Sequence, residues 1–222
     1  MLDPYRQTVL FSEILAAILS VVFYSKYKNT AFKYVLFILW LIVIKETLGY
    51  FHKELHLYYT DENGIKYNLW MGNVLSFILF PAYYFMYYKT LKIEKYQSII
   101  KLFLIVFIII YIINWVFFQH FFTENALYPR IIGSIFLTIS IIFYFIELLR
   151  SDKIISFHRL VPFWISVGLL IFYTSTIPFT VIQNSYMLST KQAIKKIFII
   201  KLVLASAMYL IFAFGFIWSK KE

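Results

Sequence analysis

The chain has no cysteine, which excludes disulfides, thiolate catalysis, iron–sulfur clusters and cysteine-ligated zinc. Charge is scarce as well: only 14% of the 222 residues are charged, against roughly 25% in an average soluble domain. No segment is polar enough for a soluble domain, no linker separates the apolar runs, and no internal repeat is visible. The N-terminal stretch from Met1 to Arg6 lacks a basic region, and no small-residue cleavage site closes the run after it, so the first apolar segment is expected to be retained.

What remains is apolar. Hydrophobic residues make up 62% of the chain and mean hydropathy is +0.76, which places it with membrane proteins. Twenty-one basic and eleven acidic residues give a net charge of +10. The basic residues lie mostly in short loops between apolar runs, so lipid headgroups are the expected partners and nucleic acid is not.

Seven runs reach the roughly 20 residues that a spanning helix needs: 5–25, 31–52, 67–89, 99–121, 128–149, 161–183 and 197–218. The expected fold is one all-α domain over 1–222, a polytopic bundle of seven transmembrane helices. Twelve Lys and Arg flank one side of these spans and seven the other, which puts the N-terminus outside and the C-terminus inside. The location that follows is the cytoplasmic membrane of a bacterium, crossed many times. Pro81 and Pro178 fall inside spans and are expected to kink them or free carbonyls. Thr174, Ser175 and Thr176, just before Pro178, suit hydroxyls bonding back to carbonyls.

Lys45 and Glu46 stand inside the second run, at roughly 2.5–3.5 kcal/mol each on insertion scales. Their natural partners are Glu13 in the first run and Lys201 in the last. Asn73 and Asn114 fall at similar depth, so Glu13, Lys45, Glu46, Asn73, Asn114 and Lys201 form a polar layer near the outer face. Adjacent helix positions point 100° apart, so Lys45 is expected to pair with Glu13, and Glu46 with Lys201. Glu13, Ala17 and Ser20 make a small-polar stripe that lets helices approach closely. Glu147 has Arg150 at i+3 and is expected to pair with it.

The polar layer admits two readings, a wet cavity for a small polar or zwitterionic ligand and a set of ion pairs that fixes packing. His52 and His56, spaced i, i+4, with His120 nearby, are weak candidates for a metal, because the segment lacks the metalloprotease motif. No cofactor is expected.

Three known seven-helix or membrane-enzyme classes fail on their residues. Microbial rhodopsins carry an acidic residue four positions before their helix-7 lysine, and position 197 here is Ile. Ceramidase-type hydrolases need histidines on the last helix, which has none, and four histidines are too few for a fatty-acid desaturase. The segment Pro162-Phe-Trp-Ile-Ser-Val-Gly168-Leu-Leu-Ile-Phe-Tyr173, with Phe145-Ile-Glu-Leu-Leu149 and Ile113-Asn-Trp-Val-Phe-Phe-Gln119, resembles a group of small seven-helix bacterial membrane proteins. The resemblance leans toward signalling and transfers no functional residue.

The expected function is therefore that of a non-enzymatic membrane sensor or accessory protein. It would bind a ligand at the outer layer and act through a membrane or cytoplasmic protein partner, or through a second copy of itself. A self-associating channel or membrane-perturbing effector is the alternative. A lipid-modifying enzyme using Glu13, Glu46 or His52 as acid or base comes third.

Overall fold

The computed structural model describes residues 3–184 and 191–221, so Met1 and Leu2 of the N-terminal stretch lie outside it. Among the described residues seven α-helices predominate: α1 Asp3–Val22, α2 Tyr34–Tyr50, α3 Leu69–Thr90, α4 Glu94–Ile113, α5 Leu127–Leu149, α6 Val161–Asn184 and α7 Lys191–Trp218. A small antiparallel hairpin, β1 Tyr59–Thr60 and β2 Lys66–Tyr67, joins α2 to α3.

Six of the helices are long and apolar enough to cross a membrane, the make-up of a multi-pass membrane protein. The exception is α2. The run at 31–52 breaks into a 3-10 turn, Ala31–Lys33, and a helix of 17 residues. At 1.5 Å per residue α2 is about 25 Å long, against a hydrocarbon thickness of about 30 Å. The 3-10 turn is fixed locally: Thr30 before it is extended, and its side chain accepts from the Phe32 amide.

The helices form a closed ring in the order α1, α2, α3, α5, α6, α7, each packed on the next and α7 on α1, while α4 lies outside against α3 and α5. Where two helices come closest, glycine makes the room. A Cβ at Gly215 of α7 would stand 2.4 Å from the Trp164 Cβ of α6, and one at Gly168 of α6 would stand 2.7 Å from the Phe212 ring. Gly133 of α5 likewise sits against Phe80 and Phe107, and its carbonyl accepts from the Tyr84 hydroxyl at 2.9 Å. Such close approach maximises dispersion contacts where lipid supplies no hydrophobic drive.

One end of the bundle carries the hairpin and is called the hairpin end below. At the opposite end, Lys26 donates to the carbonyls of Phe216 and Ile217, both at 2.8 Å. It caps the last turn of α7, where a cation is favoured; burial lowers the pKa of its ammonium below the ordinary lysine value. Glu147 does not take Arg150. Its two oxygens accept from the backbone amides of Lys92 and Ile93, each at 2.9 Å. Those amides stand free at the start of α4, and a carboxylate there gains from both the bonds and the helix dipole, which an exposed ion pair with Arg150 does not offer.

Pro81 and Pro178 lie within α3 and α6, which run through them. Around Pro178 the hydroxyls do turn back: Thr174 onto Leu170, Thr176 onto Tyr173 and Thr180 onto Thr176.

Candidate functional site

Asn73 is the best-connected polar side chain at the hairpin end. It is 1% exposed. Its Nδ2 donates to the carbonyls of Phe121 at 2.7 Å and Glu124 at 2.8 Å. Its Oδ1 accepts from the Ala126 amide at 3.0 Å and from Arg130 Nη2 at 3.3 Å. The Tyr111 hydroxyl donates to its backbone carbonyl at 2.6 Å. An amide side chain has two donors and two acceptor sites, and all four are in use. Asn73 therefore binds the connection between α4 and α5 onto α3 and has nothing left for a ligand.

Asn114 is different. It opens a π-helical turn, Asn114–Phe118, that continues α4; such turns are frequent at functional sites. Asn114 is buried and its Oδ1 has no hydrogen-bond partner. Beside it, a cavity of about 10 Å³ lies between Asn73, Tyr111, Gln119 and His120, room for about one water molecule.

Glu13 occupies the middle of α1, on a buried face that also holds Ser12, Ala16, Ala17 and Ser20. The small residues around it let α2 and α7 pack on both sides of α1. Glu13 is 4% exposed and its Oε2 has no hydrogen-bond partner. Tyr209 of α7 faces the carboxyl, and Lys45 and Glu46 of α2 act on it electrostatically.

Among the described residues, neither Lys45 with Glu13 nor Glu46 with Lys201 comes within ion-pair distance. Lys45 Nζ instead bonds Oε1 of its own neighbour Glu46 at 2.6 Å, with side chains 26% and 42% exposed. The 100° between adjacent positions is bridged by the flexible lysine stem. Pairing within one helix also neutralises both charges without help from another element. Lys201 lies ten residues into α7, deeper than the run at 197–218 implies, because α7 begins at Lys191. There it is within electrostatic reach of Arg130.

Arg130 is the residue that the sequence reading passed over, having counted it as one more flanking charge. It sits inside the first turn of α5, after Pro129. Its Nη1 meets Asn125 Oδ1 at 3.3 Å, and its Nε is buried without a partner. Tyr111 of α4 and Tyr173 of α6 flank it. Tyr209 in turn lies within electrostatic reach of Tyr83 and Tyr173. Phenols thus connect the Glu13 side of the layer to the Arg130 side. The signal in the sequence was Pro129, which belongs in a first helical turn and puts Arg130 inside the helix.

The histidines separate. α2 ends at Tyr50, and His56 takes a left-handed φ of 54°, so the i, i+4 spacing with His52 no longer shares a helix face. His52 meets the Gly49 carbonyl, His56 the Tyr58 hydroxyl and His120 the Thr123 hydroxyl. Among the described residues no three acidic or histidine side chains are grouped to hold a metal.

The fold and the site define a multi-pass helical membrane protein with a polar layer embedded between its helices. Compared with protein-family models, curated proteins and solved structures, the chain finds no match.

Proposed function

We propose that the chain crosses a bacterial cytoplasmic membrane seven times, N-terminus outside and C-terminus inside, and binds a small polar ligand at its outward-facing polar layer without transforming it. In this reading α2 counts as a span: the turn at 31–33 and residues 51–56 extend its reach, and Lys45 with Glu46 cross as a neutral pair. The excess of Lys and Arg flanking the inner side supports the orientation. The loops leave little mass on that side, so binding is passed to a partner protein or a second copy within the lipid.

One observation carries the reading. Among the described residues four buried side-chain polar atoms lack a hydrogen-bond partner, and three of them belong to this layer: Glu13 Oε2, Asn114 Oδ1 and Arg130 Nε. A network built only to hold helices together satisfies its members, because an orphaned buried group costs about 1–3 kcal/mol. Here three helical segments each keep one group in reserve.

The test is thermal unfolding of the purified protein in nanodiscs against a panel of small polar and zwitterionic solutes. At least one solute is expected to raise the midpoint of the wild type and not that of Glu13→Gln. A panel that never moves the midpoint overturns the reading. So does ion conductance in liposomes, which would make the layer a pore lining.

A further inference from the structure

The polar layer is unbalanced around Arg130. The guanidinium has five N–H donors, and two are used, both on neutral amide oxygens at 3.3 Å, those of Asn73 and Asn125. Nε is buried and unpartnered. Lys45 pairs with Glu46 of α2, and no carboxylate among the described residues pairs with Arg130. The other groups in its electrostatic reach are the phenols of Tyr111 and Tyr173 and a second cation, Lys201. The N-terminus of α5 adds partial positive charge of its own.

An arginine in a membrane-embedded helix is normally paired or bonded to carbonyls along its whole fork. Here the guanidinium bonds two amide oxygens only, and among the described residues no carboxylate meets it. Room has been left for the head group itself: a Cβ at Gly72 of α3 would come within 3.1 Å of Nη2. The unused donors include Nε, which together with an Nη can grip two oxygens of one oxyanion side by side.

We propose that Arg130 anchors an anion subsite of the polar layer, taking a carboxylate or phosphate group of the bound molecule. The inference rests on the ligand-binding reading above and names the chemistry of one end of that ligand. The oxyanion is carried either by a water-soluble solute from the outer face or by a lipid headgroup.

The experiment uses the full chain, delipidated in a maltoside detergent. Its unfolding midpoint is measured in sodium phosphate or sodium acetate against sodium chloride at equal ionic strength, and separately with added phosphatidylglycerol. At ten times Kd the wild-type midpoint is expected to rise by about 3–6 °C, and Arg130→Gln is expected to lose the rise. Arg130→Lys keeps the charge but not the fork, so a rise at least threefold smaller is expected, and this variant supplies the comparison should Arg130→Gln not fold. A rise with phosphate or acetate identifies a soluble ligand, and a rise with phosphatidylglycerol alone identifies a headgroup. No rise in the wild type, or an equal rise in both variants, overturns the anion subsite. The ligand-binding reading is scored separately on Glu13, and can succeed with a ligand that carries no anion.

Discussion

Replacing Asn73 with alanine removes four side-chain hydrogen bonds at once, to Phe121, Glu124, Ala126 and Arg130. Bonds of this kind within membrane bundles average about 0.6 kcal/mol each, and in proteins generally about 1 kcal/mol. The expected loss is therefore about 2–4 kcal/mol, near the top of that range because a buried amide and two carbonyls lose their partner. Asn73→Asp keeps the acceptor for Ala126 and Arg130 and loses the two donors, so about half the loss is expected. It also places a carboxylate beside Arg130, and the phosphate-dependent rise in midpoint should then disappear. The assay is reversible unfolding in mixed maltoside and dodecyl sulfate micelles, followed by circular dichroism. Asn73→Ala within about 0.5 kcal/mol of the wild type, the usual range for an inert surface site, would refute the placement of Asn73 as a structural hub. So would Asn73→Asp being the worse of the two.

Glu147→Ala uncaps the start of α4 and is expected to cost about 1 kcal/mol, whereas Arg150→Ala leaves stability unchanged in the same assay. Gly215→Ala drives a methyl group into the Trp164 Cβ and is expected to cost about 1–3 kcal/mol, measured against Gly49→Ala, where a Cβ meets nothing within 4 Å. A double-mutant cycle should give a coupling of less than about 1 kcal/mol between Lys45 and Glu46, since both are partly exposed, and none between Glu46 and Lys201. A Glu46 to Lys201 coupling above that of the neighbouring pair would contradict the geometry of α2.

The helices were legible because a bilayer imposes length and apolarity on every segment that crosses it. Six runs carry that mark in both sequence and structure, and boundaries moved where capping decided them. α4 starts at Glu94, five residues ahead of the apolar run at 99–121, where Glu147 from another helix holds the amides of Lys92 and Ile93 just before it. No local pattern announces such a partner 54 residues away. The polar layer was legible as a set of depths and not as a set of pairs. Depth follows from position along a helix, while pairing depends on rotamers and on which helices are neighbours. The depth of Asn73 follows from its place along the helix, while its closed set of four bonds is seen only in the structure. Lys45 and Glu46, expected to pair across helices, bond each other instead.

The same distinction explains why Arg130 escaped notice and why it carries the most weight. A charge count treats every lysine and arginine near a span end alike, as a vote on orientation. Their surroundings separate them: Lys26 meets two carbonyls at a helix C-terminus, and Arg159 lies over the Trp218 ring. Those sites complement a cation. Arg130 is placed at a helix N-terminus, beside a second cation, with an unpartnered Nε. On the other side of the layer Glu13 keeps an oxygen unpartnered next to Glu46. Helix packing alone gains nothing from leaving a guanidinium N–H and a carboxyl oxygen buried without partners. In the reading proposed above, one molecule with its anion on Arg130 and a hydrogen-bonding group on Glu13 satisfies both, with the phenols of Tyr173 and Tyr209 between them.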